Sequence, residues 1–280
     1  MATQLTDPLP GVEARPEGAH YAIIDQGAHV LAWQPAGRRP VLWVSAKSLF
    51  QPGVAVRGGI PLVFPWFGKG PDGDRAPSHG YGRVVDWQRE DLAEDGDRLR
   101  VGYRLATRDG FPSAALVAEF SAERLDVQFT VVNDTDATVT VEAALHTYFA
   151  VGDIRKASID GFDGSSYVDT VVGADPGPFV QRGPITFTAE TDHTYRHDGT
   201  AVLRDPVWNR VITIAKNGSA STVVWNPWID KSAGMADFGD DEWQQMVCVE
   251  AAGVRDTALW LAPGASHTMG QTISVQESSP

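Results

Sequence analysis

Apolar residues along this chain fall into short runs that alternate with polar ones at a period of two, and almost nowhere at the spacing of an amphipathic helix. LRVGYRLA, AALVAEFSAE, LDVQFTVVND and TVTVEAALHTYFAV succeed one another with polar or glycine-containing turns between them, the pattern of a β-meander. HYAIIDQGAHVLAWQP and RRPVLWVS predict further short strands, divided by Pro35, Gly37 and Pro40. SLFQPGVAVRGGIPLVFPWFG holds too much glycine and proline for a long helix. KGPDGDRAPSHGYGR reads as an exposed loop returning into a strand at VVDWQREDLA. Further on, DIRKASIDGFDGSSYVDTVVG predicts a strand and a compact loop, and PITFTAETDHTYR, TAVLRDP, NRVITIAKNG and STVVWNP continue the strands. One short helix is expected, around Asp240 to Gln245, feeding the strand MVCVEAAG, and TALWLAPGASHTMGQTISV closes with two strands about a turn at Pro263 and Gly264. The expectation is all-β: an irregular N-terminal arm over 1–18, then a single domain over 19–280 built as a large antiparallel β-sandwich.

The phase of the alternation matters near position 146. In VTVEAALH, residues Val139, Val141, Ala143 and Leu145 share one face, while Glu142, Ala144 and His146 share the other. His146 is therefore expected to turn away from the apolar row, toward a cleft or solvent.

Composition narrows the partners. A chain of 280 residues with 42% hydrophobic content can bury a large core as one domain. A net charge of -13 argues against nucleic acid and anionic membrane, which reward basic surface. It leaves room for a phosphorylated small molecule, because a few arginines focused in a cleft make a local positive site. Cys248 is the only cysteine, so no intrachain disulfide is available and a reducing compartment is favoured. MATQLTDPLPGVEARPEG lacks the apolar core of a signal peptide, no stretch has the length of a transmembrane helix, and a cytoplasmic location is expected. No cysteine cluster or His-x-x-His pair suggests structural zinc, and the Gly239–Asp241 run has too few ligands for a metal loop.

Four polar sites stand out within strands or at their ends: Arg57, His79 with Arg83, His146, and Glu250. His146, followed by Thr147, Tyr148 and Phe149, could donate a proton as imidazolium or bond a hydroxyl when neutral; it could equally be a structural histidine. Glu250 follows the apolar run VCV, where a buried carboxylate needs either a partner or a function; in a partly dry pocket its pKa would rise toward that of a useful base. Arg57 and Arg83, among Gly58, Gly59, Gly80 and Gly82, suit a single anion site, the alternative for each being an ordinary ion pair. GVAVRGG is no P-loop, since no GK[ST] follows. His79 could bond a sugar hydroxyl or simply be exposed, and Asp192 could accept hydroxyl donors. Trp66 and Trp228 are candidates for an apolar rim under sugar C–H groups, although most tryptophans only pack.

RGGIPLVFPWFG, PSHGYGR, LHTYFAVGDI, GFDGSSYVD, WNPW and VCVEAAG, in this order, resemble the aldose 1-epimerase (galactose mutarotase-like) superfamily over Tyr21 to Val275, and within it the hexose-6-phosphate mutarotase branch. The resemblance implies a large β-sandwich with its cleft on a broad concave face and chemistry needing no metal or organic cofactor. It implies Glu250 as general base, His146 as general acid, His79 and Asp192 as hydroxyl contacts, and Arg57 and Arg83 as phosphate ligands. The implied partner is a small hexose phosphate, foremost D-glucose 6-phosphate, acted on by a monomer or weak homodimer; alternatives are an epimerase of unphosphorylated hexoses and a silent carbohydrate-binding protein. One departure is His193, where the family commonly carries arginine after the aspartate.

Overall fold

The computed structural model describes residues 1–5 and 8–278. Two large antiparallel sheets pack face to face around one apolar core. One holds nine strands: Ile185–Thr186, Ser158–Asp160, Ala201–Asp205, Arg210–Asn217, Ser266–Glu277, Arg124–Val132, Ser113–Phe120, Arg98–Leu105 and Gln88–Asp95, in that spatial order. The period-two pattern is visible in Arg124–Val132, which buries Leu125, Val127, Phe129 and Val131 and leaves the residues between them more open. The other sheet orders Phe179–Val180, Ser166–Asp169, Thr191–Arg196, Ser221–Asn226, Met246–Gly253, Ala143–Leu145 and Leu62–Val63, with Tyr148–Ala150 also pairing on Met246–Gly253. Phe129, Met269 and Ile273 of the first sheet share a core with Leu145, Val247 and Val249 of the second.

One buried polar bridge crosses that core. Thr147 Oγ1 donates to Gln271 Oε1 at 2.5 Å, and Gln271 Nε2 donates to the Val249 carbonyl at 3.0 Å. A buried amide left unpaired would be costly, so satisfying it at both ends fixes the two strands relative to each other. Thr147 and Val249 are the chain neighbours of His146 and Glu250, so the bridge pins the backbone under both.

Three expectations need correction. The arm over 1–18 is not irregular: Thr3–Leu5 and Gly11–Ala14 are strands of a four-stranded sheet with His20–Ile24 and His29–Gln34, while Thr6 and Asp7 lie outside the described residues. Gly11 permits that pairing, since a Cβ there would stand 2.3 Å from the Ile23 carbonyl oxygen. RRPVLWVS forms no regular strand and contributes only the bridges Leu42 to Phe149 and Val44 to Gly58. The expected helix is a 3₁₀ turn at Glu242–Gln245, and a short α-helix, Trp228–Ala233, precedes it in a stretch too brief to show a helical period.

The second sheet turns a face away from the shared core, and strand register sets what lies on it. One row across this face reads Asp192, Trp225, Cys248, Tyr148; the next reads Thr194, Val223, Glu250. A third reads Arg196, Ser221, Ala252, Ala144, Val63. Loops bring Arg57 and His79 over it, and Arg83 bonds back to Ser78 in the loop that carries His79. Gly80 is essential to that approach: its φ is +76°, and a Cβ would meet the Phe64 carbonyl oxygen at 2.0 Å.

Candidate active site

Glu250 and His146 meet on this face. Glu250 is 1% exposed and His146 7%. Their Oε1 and Nδ1 atoms stand 3.2 Å apart, yet neither His146 Nδ1 nor Glu250 Oε2 has a hydrogen-bond partner. Two buried, unpaired polar atoms side by side are what a fold avoids unless a site requires them. Alternation predicted that His146 turns away from the apolar row toward a cleft or solvent; the structure places it in a cleft, with Tyr148 and Trp225 against the ring. Tyr148 lies parallel to it at 4.8 Å and 8°, Trp225 stands edge-on at 6.2 Å, and His79 approaches at 5.7 Å.

This setting displaces both titrations. Burial pushes Glu250 well above the usual carboxylate range, nearby Asp192 adds to the rise, and Arg83 opposes it. Burial pulls His146 well below 6.5, and His79, Arg83 and Arg57 act in the same direction. Both shifts favour the uncharged forms, a carboxyl that holds its proton more tightly and an imidazole that holds its second one less tightly, so one proton lies between two sites. Moving that proton from one partner to the other gives the ion pair without any exchange with solvent. A group able to give a proton thus faces one able to take it, in either assignment.

The two arginines differ. Arg57 is committed to Asp237 through Nε at 3.1 Å and Nη2 at 3.3 Å, and its Nη1 donates to the Tyr148 hydroxyl at 3.1 Å. Burial opposes its charge, but Tyr148 and Asp237 outweigh that and hold the guanidinium above its ordinary range. Among the described residues Arg83 donates only to the Ser78 carbonyl, at 2.9 Å, its Nε is buried without a partner, and no carboxylate lies within ion-pair reach. Burial lowers its pKa to about 10. An ordinary ion pair thus describes Arg57 and fails for Arg83.

His79 adopts a φ of +65°, and its Nδ1 accepts from the Gly68 amide at 3.2 Å, which places the ring proton on Nε2. Burial, with Arg83 and Arg57, drives its pKa down to about 3, so it serves as a neutral donor. Asp192 sits one row from Glu250, its own pKa raised by burial. Trp66 and Trp228 do not join this group. Trp66 donates to the Pro77 carbonyl at 3.0 Å and packs on Tyr81 and Phe111, and Trp228 lies on Trp243 at 4.3 Å. Trp225 is the aromatic edge beside His146 instead. His193 points to the opposite face from Asp192 and engages Asp169 at 3.5 Å and the Tyr195 hydroxyl at 3.2 Å. Sequence reading missed Tyr148, Trp225 and Asp237. Tyr148 was within reach of the alternation argument, two residues after His146, whereas Asp237 lies 180 positions from Arg57. Among the described residues His146, Cys248 and Glu250 form the one group of three histidine, cysteine or acidic side chains whose potential metal-ligand atoms all lie within 4.8 Å of one another.

Fold comparison defines the class first. A solved structure of a provisionally assigned mutarotase from Salmonella typhimurium superposes with a TM-score of 0.89 at 27% identity, covering 99% of this chain and 94% of the other. The chain belongs to the aldose 1-epimerase family, whose model matches residues 12–274, and is an isomerase of that family. A protein of Escherichia coli K12 provisionally named glucose-6-phosphate 1-epimerase is 35% identical over 89% of this chain and 85% of its own length. A protein of Salmonella typhimurium LT2 with the same provisional name is 34% identical, over 80% of this chain and 76% of its own length. No helix among the described residues is long and apolar enough to cross a membrane.

Proposed function

We propose that this protein interconverts the α and β anomers of a hexose 6-phosphate, D-glucose 6-phosphate foremost, with Glu250 and His146 as the proton-transfer pair and Arg83 as the main phosphate ligand. The observation that carries the phosphate is Arg83, a half-buried guanidinium whose Nε is buried without a partner and which pairs with no carboxylate among the described residues. A dianion gives it the charge partner the fold does not supply. The names of the relatives support the same reading.

In the ion-pair form Glu250 takes the proton of the anomeric hydroxyl while His146 protonates the ring oxygen. The C1–O5 bond breaks, and the free aldehyde faces a protonated Glu250 and a neutral His146. Rotation about C1–C2 presents the other carbonyl face, and closure returns both protons. The ion-pair and neutral proton arrangements are thus the two ends of the ring-opening half-reaction, and neither alkoxide nor protonated aldehyde forms. His79 Nε2–H and Asp192 hold ring hydroxyls, and the phosphate grip keeps the opened chain aligned through rotation.

One observation favours an epimerase of unphosphorylated hexoses: Arg57 is already neutralised by Asp237. Arg83→Ala separates the readings. The ratio of kcat/KM for glucose 6-phosphate to that for glucose should fall by about 10²-fold, matching a lost charged hydrogen bond of about 2–3 kcal/mol. Polarimetry on both sugars measures it, and an unchanged ratio removes Arg83 from phosphate recognition.

A further inference from the structure

One side chain at the centre of this face has no part in the proposed chemistry. Cys248 is buried, and strand register sets it between Trp225 and Tyr148, in the row next to that of Glu250. Its sulfur, one His146 ring nitrogen and one Glu250 carboxylate oxygen all lie within 4.8 Å of one another. His146 Nδ1 and Glu250 Oε1 are 3.2 Å apart, and Nδ1 and Oε2 are buried without hydrogen-bond partners. A tetrahedral zinc ion with bonds of about 2.0–2.3 Å separates its ligand atoms by about 3.3–3.6 Å. The histidine and the glutamate already stand at that spacing. The cysteine sulfur reaches it by a shift of about 1 Å, a modest turn about its Cα–Cβ bond. The bridge from Thr147 through Gln271 to Val249 fixes the backbone next to all three residues, so the group is held together before any ion arrives.

We propose that His146, Cys248 and Glu250 form a reversible zinc site that silences the enzyme when it is filled. The geometry carries the site, and its effect on turnover rests on the proton-transfer reading above. A thiolate, an imidazole and a carboxylate together suit zinc, whereas magnesium and calcium take six or more ligands, nearly all oxygen. On binding, the thiol proton of Cys248 and the carboxyl proton of Glu250 leave to solvent, and nothing is oxidised or reduced. The two negative charges that result cancel those of the ion, as a buried cluster requires. Arg57, which reaches this group through the Tyr148 hydroxyl, is itself balanced by both oxygens of Asp237. A water or a sugar hydroxyl completes the tetrahedron. With its oxygen on zinc Glu250 no longer accepts the anomeric proton, and with its nitrogen on zinc His146 no longer carries one to the ring oxygen. The same atoms thus serve two exclusive states, active without the ion and silent with it.

Cobalt(II) chloride is the probe for the site, because a thiolate bound to cobalt adds a charge-transfer absorption in the near ultraviolet and Cys248 is the only cysteine. Reduced wild-type protein titrated with cobalt should gain that band together with the intense visible bands of four-coordinate cobalt, and zinc should abolish both. In Cys248→Ala the charge-transfer band should be lost. Exchange of pure α-D-glucose 6-phosphate is then followed by polarimetry in phosphate-free buffer, with free zinc set by a chelator and protein-free rates subtracted. At about 10 µM free zinc, ten times the dissociation constant of about 1 µM expected of three protein ligands, about nine-tenths of the exchange should be lost. Excess EDTA should restore it, and magnesium at the same concentration should have no effect. Cys248→Ala, compared with its own metal-free rate, should need at least about tenfold more zinc for the same loss. The wild-type cobalt spectrum decides the site even if that variant fails to fold. A wild-type spectrum without the thiolate band, or a band that persists in Cys248→Ala, would overturn the site. Thiolate-bound metal beside undiminished exchange would overturn the silencing. Absence of glucose 6-phosphate turnover in the metal-free protein would overturn the proposed function and the silencing with it, while the cobalt spectrum still decides the site.

Discussion

Glu250→Gln loses between about 10²- and 10⁴-fold of its anomer exchange while keeping its fold and most of its substrate affinity. The amide preserves the shape of a side chain that is 1% exposed but cannot accept the hydroxyl proton. Stability should move the other way, and its sign follows from the raised titration of Glu250. The folded state favours the neutral carboxyl, so the contribution of Glu250 is full below 4.5 and is lost as pH rises toward the folded value. Glutamine is neutral throughout. The variant should therefore melt at least about 2 °C above the wild type at pH 8, with the gap closing toward pH 4. Exchange kinetics and thermal melts across pH measure the two effects. Wild-type turnover in the variant would remove Glu250 as base, and a lower melting temperature at pH 8 would contradict its burial as a strained carboxyl.

His146→Asn should cost between about 10²- and 10³-fold in exchange, by removing the proton donor to the ring oxygen. Its stability signature is opposite in pH. Burial and three positive or potentially positive neighbours keep His146 neutral in the fold, so the unfolded chain binds the extra proton as pH falls below 6.5. The wild type thus loses stability on acidification through that range, as do the buried His29 and the low-titrating His79, whose folded values lie near 4 and 3. Asparagine deletes one of these protons, so the variant's stability should fall less steeply between pH 6.5 and 5. Normal exchange would take His146 out of the chemistry, and an unchanged acid slope would show that its imidazole is charged in the fold.

Much of this site was legible before any coordinates, for a reason specific to sheets. Alternation is strict, so the side of the strand on which His146 falls follows from its distance to Leu145 and Val141, and the same argument extends to Tyr148. The polar residue after VCV marked Glu250 because an apolar run that ends in a carboxylate demands an explanation. The rest depended on partners far away in sequence. Asp237 reaches Arg57 from a loop, Trp225 reaches His146 through strand register, and Trp66 and Trp228 are held by Pro77 and Trp243. Neither register nor loop closure is written locally. The N-terminal strands escaped detection because four residues, Gly11–Ala14, form too short a period, and only pairing with His20–Ile24 gives them an edge to follow.

The most direct measurement starts from pure α-D-glucose 6-phosphate and follows its optical rotation to equilibrium with and without the protein, beside α-D-glucose as control. The account predicts a protein-dependent acceleration of the phosphate ester far exceeding that of the free sugar. Equal or greater acceleration of glucose, or none of either, would contradict it.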